Sequence, residues 1–403
     1  MADLSHALGF HMHQPPGNLE LLWREYEWEA RQIMLCYQRP LKYARRFAAG
    51  GRFHVDFSGI LLEQFLDPAI QRMYRDAVDI EEMLDGYRHA SNIELLSTGY
   101  FHPIFPLIPE QDWAEQLQRS IELMERLFGR RPRGFWPPEM AFSMEMIPAL
   151  VKAGFEYVVV DNVHVIPEDE VDNEDAATQP CIARHMGAEI GVVPRHRDLS
   201  NAQESGMAPD WFADQIAHRA DRVLRPALFA TWSDGENGGW FRQTAEEAGF
   251  WGHFYAPYME RIEAGDYPVR PALISDYLAA HPARRAAEVR TGAWNVGTTG
   301  GFDFAQWAGS PTQKAVLEQV WQTSQHYRYA QHHLESRRAE GHVPQEAEDL
   351  LGSAREALLR AETSCYFFWG DSWTPKAQEH LQAAEDRLRR ARDLLGRSAG
   401  VKP

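Results

Sequence analysis

The chain has 403 residues, 12% of them aromatic, and its 41 Lys and Arg face 58 Asp and Glu for a net charge of −17. That acidity argues against nucleic acid or an anionic membrane as partner, and no run of about 20 uninterrupted apolar residues suggests a span. The three cysteines, Cys36, Cys181 and Cys365, are odd in number and lack CxxC spacing, so neither a disulfide framework nor a zinc knuckle is indicated; with no basic and apolar leader at Met1-Ala2-Asp3-Leu4-Ser5-His6, a cytoplasmic protein is expected.

Along the chain, short apolar runs alternate with longer amphipathic stretches. The runs end at Gly9-Phe10-His11, Phe53 to Phe57, Ile93 to Ser97, Gly134-Phe135-Trp136, Tyr157 to Asp161, Ile190 to Pro194 and Leu228 to Trp232, with Val289-Arg290 a candidate eighth. Polar and aromatic residues collecting at successive strand ends predict a parallel α/β barrel of seven or eight strands with its site on the carboxyl face. From about Ala305 the character changes. Gln313 to Arg337, Gln345 to Glu362 and Pro375 to Leu395 read as long helices, so a barrel domain over 1–304 and a C-terminal helical domain over 305–403 are expected. Helical spacing of Leu317, Val320, Trp321 and Ser324, and of Leu381, Ala384, Leu388 and Ala391, marks their inner faces. The segment Ser364 to Trp373 is too aromatic for a solvated linker: it either packs between helices or lines a subsite with Trp369 and Trp373. The tail Ser398 to Pro403 reads as frayed.

Two acids stand out. Glu139 follows Gly134-Phe135-Trp136-Pro137-Pro138, where consecutive prolines fix the approach of the backbone. Asp234 opens Asp234-Gly235-Glu236-Asn237-Gly238-Gly239-Trp240 directly after the run ending at Trp232. Paired carboxyl groups serve to protonate a glycosidic oxygen and to attack or stabilise an oxocarbenium-like centre, and 13 tryptophans supply flat faces for pyranose rings. The bland alternative for either acid is a helix cap. His11 and His13, in His11-Met12-His13-Gln14-Pro15-Pro16, share one strand face; hydrogen bonding to sugar hydroxyls, burial against backbone, or metal ligation with Asp56, His102 or Asp161 are all open. Glu94, within an apolar run, must be paired or face the cavity. Asp161-Asn162-Val163-His164 and Arg195-His196-Arg197-Asp198 also follow β-branched runs; either is a candidate to contact ligand, but Arg and Asp together often make only a loop salt bridge, worth little at the surface. Trp294 extends the aromatic supply near the last strand.

In order along nearly the whole chain, His11-Met12-His13-Gln14-Pro15, Glu94 within Ile93 to Ser97, Trp136-Pro137-Pro138-Glu139-Met140-Ala141 and Ser233-Asp234-Gly235-Glu236 resemble the successive signatures of glycoside hydrolase family 57, with the Trp369 to Trp373 region where a fifth would fall. The resemblance implies an incomplete (β/α)7 TIM-like barrel followed by a helical domain, acting with retention on α-glucan or maltooligosaccharide, with no metal and no cofactor. It also implies Glu139 as nucleophile and Asp234 as general acid/base. His11, His13, Glu94 and Trp136 would shape the subsite of cleavage, and Gln14, Trp232, Glu236, Trp240, Trp294, Trp369 and Trp373 are further substrate-facing candidates. Asn237-Gly238-Gly239-Trp240 departs from the continuation seen in many members. Two other classes are set against this reading: a metal-dependent deacetylase or α-mannosidase-like enzyme, and a non-catalytic carbohydrate-binding relative. Which glucan is used, hydrolysis or transfer, and oligomeric state are left open.

Overall fold

The structure, a computed structural model, describes residues 4–397 apart from Thr298 and His342; the expected frayed tail lies outside the described residues. Among the described residues eleven strands appear in order: β1 (Leu4–Met12), β2 (Phe53–Phe57), β3 (Ile93–Leu96), β4 (Gly134–Phe135), β5 (Tyr157–Asp161), β6 (Val165–Pro167), β7 (Cys181–His185), β8 (Ala188–Arg195), β9 (Ala227–Asp234), β10 (Arg270–Pro271) and β11 (Arg285–Val289). Seven of them form a parallel ring in the order β3, β2, β1, β9, β8, β5, β4. A bridge between Ser97 and Phe135 returns β4 to β3, reinforced by Ser97 N–H donating to Gly134 (3.0 Å) and Trp136 N–H to Ser97 (2.8 Å). The candidate eighth run is not part of this ring. β11 pairs instead with β7, which runs antiparallel to β8, and with β6.

The ring follows from alternation. Leu8, Phe10 and Met12 of β1, Phe53, Val55 and Phe57 of β2, and Ile93 and Leu95 of β3 lie in one buried hydrophobic cluster with surrounding helical residues such as Tyr37, Phe65 and Tyr87. Successive side chains of a strand point to opposite faces, so the intervening Gly9, His11, His54, Asp56 and Glu94 face the barrel interior. The sequence thus places polar residues where an ordinary barrel carries branched apolar layers.

The chain separates into two compact units, Met1–Tyr100 with Leu117–Thr291, and Phe101–Gln116 with Gly292–Pro403. In the second, the helices Pro311–Ala339, Gln345–Ala361 and Thr374–Arg397 pack around Ala330, Leu334, Ala347, Leu351, Ala354, Leu388, Ala391 and Leu395. The first begins with a capping box, Ser310 Oγ accepting from Gln313 N–H (3.0 Å) and Gln313 Oε1 accepting from Ser310 N–H (2.8 Å). Of the residues read as its inner face, Leu317, Val320 and Ser324 are buried, whereas Trp321 is 40% exposed, its indole N–H donating to Leu107 (2.9 Å).

Candidate active site

Register brings three titratable residues side by side at the carboxyl end of the ring. His11 of β1 is paired with Asp56 of β2 on one side and with Asp234 of β9 on the other. One step deeper, Gly9 is flanked by His54 and Trp232. A Cβ at Gly9 would lie 2.1 Å from the Trp232 ring, so only glycine lets this indole fold across β1. Trp232 stacks on Trp136 (centroids 4.9 Å, 20°), Trp136 on His11 (5.8 Å, 23°), and His11 on His13 (5.8 Å, 23°). Both tryptophans are fully buried, so the histidines and indoles form one continuous stack.

Glu139 sits in the turn Pro138–Met140 that follows β4. Its φ of 56° and that of Met140, 51°, are left-handed, a conformation that costs a non-glycine residue of order 1–3 kcal/mol and that tends to be retained where a site requires it. Pro137 and Pro138 lead into it with extended backbone at Pro137. Asp234, half-buried at the end of β9, accepts a hydrogen bond from Asn237 Nδ2. Burial pushes the Asp234 carboxyl up, and the charges of Glu204 and Glu139 push the same way against the pull of His11 and Asn237. The two carboxyl groups singled out in the sequence therefore lie within electrostatic reach of one another. Glu236, buried, accepts from His13 N–H (3.2 Å), and it too is pushed up by burial and by Asp234.

His11 Nδ1 lies 2.5 Å from Asp56 Oδ1, and Trp232 Nε1 donates to Asp56 Oδ2 (3.3 Å). Burial alone would lower the imidazolium, yet the charge and hydrogen bond of Asp56, with Asp234 and Glu236 behind them, hold it at about 9. Burial also raises Asp56, so the ionic form of the pair rests on this short contact and the indole donor. His13 is held well below the ordinary histidine value by burial and by the His11 cation, and its Nδ1 is 2.7 Å from Ser58 Oγ.

Glu94 lies in the deeper layer. It accepts from Tyr157 Oη (2.7 Å), from Ser275 N–H (3.0 Å) and from the Ser275 hydroxyl. Burial opposes ionisation, but these donors and His54 outweigh it and keep the carboxyl low. His54 Nε2 lies 2.9 Å from the Ile274 amide nitrogen and 3.5 Å from Glu94 Oε2, and its Nδ1 is 3.1 Å from the Leu8 carbonyl. The Asp161 and Arg195 pair is a correction to the sequence reading: it is a buried ion pair (3.0 Å) between adjacent ring strands, not a loop bridge. With Arg197 Nε also at 3.0 Å, Asp161 is held by two guanidinium groups.

Of the other sequence candidates, Gln14 accepts from Asn18 Nδ2 (2.6 Å), and Trp240 packs beside Phe250 with its N–H on Gln203 (3.0 Å). Trp294, Trp369 and Trp373 belong to the second compact unit. There Tyr366 and Phe367 are buried, Trp369 is 56% exposed, and Lys376 Nζ sits 3.4 Å from the centroid of the half-buried Trp373 ring. The aromatic segment thus divides between packing and surface. The residues that sequence reading underused are Asp56, weighed only as a metal ligand, and Tyr157 and Ser275, which it did not single out. Alternation within Phe53 to Phe57 does place Asp56 on the inward face, and only register pairs it with His11.

The profile of Glycosyl hydrolase family 57 matches residues 7–289, which contain every residue of this cluster. An α-amylase of Pyrococcus abyssi is 26% identical over 320 residues, 79% of this chain and 44% of that protein; alpha-amylase 1 of Dictyoglomus thermophilum is 28% identical over 159 residues, 39% of this chain and 21% of that one. The chain thus spans less than half the length of these curated relatives. The crystal structure of a branching enzyme from Thermococcus kodakaraensis superimposes with a TM-score of 0.72 at 15% identity, over 98% of this chain and 91% of that one, a likeness of fold. With the profile covering well over half of the sequence, the chain belongs to glycosyl hydrolase family 57.

Proposed function

We propose that the protein cleaves or transfers α-glucosidic linkages of an α-glucan with retention of configuration, Glu139 acting as nucleophile and Asp234 as general acid/base. The observation that carries this reading is the pair of carboxyl groups at the carboxyl ends of two ring strands, with Asp234 raised by burial and by the charge of Glu139 so that it holds a proton to give. Relatives named as α-amylase and 4-alpha-glucanotransferase supply the substrate class.

In the first half-reaction Asp234 donates its proton to the glycosidic oxygen while Glu139 attacks the anomeric carbon. The leaving chain departs with that proton and a glycosyl ester forms on Glu139. In the second, ionised Asp234 takes a proton from water or from a sugar hydroxyl, which displaces Glu139. In this reading His11, whose Nδ1 is engaged by Asp56, offers Nε2 to a hydroxyl of the sugar at the cleavage point, and neutral His13, whose Nδ1 is on Ser58, does the same. Trp136 and Trp232 keep the histidine rings aligned through the stack, and Glu94 braces the layer beneath. Product analysis on amylose, maltooligosaccharides and pullulan tests the reading. Shortening indicates hydrolysis, disproportionation a transferase, and new α-1,6 branches a branching enzyme, each with the first product in the α configuration. An inverted first product would refute the roles given to Glu139 and Asp234, and a trapped complex should hold the two carboxyl groups about 5 to 5.5 Å apart instead of roughly 6.5 to 9.5 Å.

A further inference from the structure

We infer that Asp56 is a positioning residue: it fixes His11 as a cation beside Asp234, and thereby lets Asp234 serve as acid in one half-reaction and base in the other. The inference rests on the retaining reading above and adds a residue to it.

The geometry is asymmetric in a useful way. His11 stands on the strand between Asp56 and Asp234, so its charge is nearer to Asp234 than the Asp56 charge is by one strand spacing, about 4.8 Å. The ion pair is neutral as a whole, yet Asp234 faces its positive end. Asp56 is fully buried, 2.5 Å from His11 Nδ1, and takes a second hydrogen bond from Trp232; the imidazole is stacked on Trp136 and His13 and cannot rotate away without breaking that stack.

The charged and titratable groups around His11 include Asp56 from β2, Asp234 and Glu236 from the end of β9 and the turn after it, and His13 from its own chain segment; His13 stays neutral. Burial and the charges of Glu204 and Glu139 favour protonated Asp234, and the charge of His11, with the Asn237 hydrogen bond, opposes them. When Glu139 is esterified its charge disappears, and the cation then favours loss of the proton from half-buried Asp234 against the burial and the Glu204 charge that oppose it. A carboxyl group that must give and then take a proton needs both influences, because proton transfer is efficient when the acid and base titrate near working pH.

Two measurements on the full-length protein test this. Histidine-labelled NMR of the wild type should show His11 protonated through neutral pH, with a titration well above that of an exposed histidine; His11 neutral at pH 7 overturns the proposal. Asp56→Asn keeps the shape and removes the charge. It should bring His11 titration down by about one pH unit or more, lower kcat on maltooligosaccharide on the order of 10²-fold, and move the acid limb of kcat, where Asp234 acts as base, to higher pH. A variant that only melts earlier, with the His11 titration and the pH limb unmoved, shows a merely structural Asp56 and overturns the proposal. If Asp56→Asn does not fold, the wild-type titration still decides. The His11 signal needs no substrate. Absence of activity on every α-glucan therefore overturns the retaining reading and this inference together, whereas an active enzyme with neutral His11 overturns this inference alone.

Discussion

Two of the clusters of acid in this molecule, one in the barrel and one in the helical unit, differ in the cation at their centre. In the barrel, Asp56, Asp234 and Glu236 surround the His11 imidazole, a group that can lose its proton. In the helical unit, Arg355 holds Asp112 (2.6 Å) and Glu115 (2.5 Å), Ser324 Oγ donates to Asp112 (2.6 Å), and Gln116 donates to Glu362 (2.7 Å). A guanidinium stays charged at any pH the protein meets, so that cluster is a fixed brace. The barrel cluster, built on a titratable cation next to the strained turn of Glu139, is arranged for proton traffic at the expense of local comfort. Changes in the first should therefore appear as rate, and changes in the second as stability.

The largest expected effect is Glu139→Gln, which retains shape but removes the charge of the nucleophile. Turnover of amylose should fall by about 10³-fold or more, with the melting temperature unchanged within error. Turnover near the wild-type rate would make Glu139 a structural acid and erase the contrast between the clusters.

Arg355→Met should do the opposite. It takes away the guanidinium 2.6 Å from Asp112 and leaves that buried carboxylate with Arg328 at 3.7 Å, and breaking a buried pair from one side costs about 3–5 kcal/mol. Urea unfolding should record that loss while kcat at 25 °C stays within about twofold. A rate that falls in step with stability would mean that the two clusters are not separable.

The contrast can be sharpened with Glu362. Burial and then the charge of Asp112 push its carboxyl well above 4.5 in the folded chain. The folded state thus binds this proton more tightly than the unfolded chain, so its stabilising effect is complete below pH 4.5 and is lost as pH climbs toward the raised value. Within that window the group removes about 1.4 kcal/mol per pH unit. Glu362→Gln, which mimics the protonated form, should flatten this decline in stability curves taken across the range. An unchanged slope assigns the decline to other groups.

Smallest of all should be Trp369→Ala, at an exposed site outside both clusters. Stability is expected to hold within about 0.5 kcal/mol. A several-fold rise in KM for long maltooligosaccharides, with short ones unaffected, would assign the indole to glucan binding; an unchanged KM leaves it as surface.

The sequence by itself determined the class of fold, the helices of the second half and the collinear motifs that carry the family likeness, because these are local properties. Alternation within Phe53 to Phe57 or Ile93 to Ser97 fixes which residues face inward, two prolines fix the approach to Glu139, and the period of Leu381, Ala384, Leu388 and Ala391 fixes a buried stripe. Register was decided only in three dimensions. The same inward-facing Asp56 is a candidate metal ligand, a strand-end cap or a partner of His11 depending on which residue of β1 lies beside it, and the distance between positions 11 and 56 in the chain says nothing about that choice. The same holds for Asp161 and Arg195, which read as a surface bridge until adjacent strands bury them together, and for Val289, whose apolar run looks like an eighth barrel strand until Ser97 and Phe135 close the ring without it. Alternation is set by each strand's own backbone, whereas partners are set by how strands shear against one another as the ring closes, and that is a property of the whole sheet.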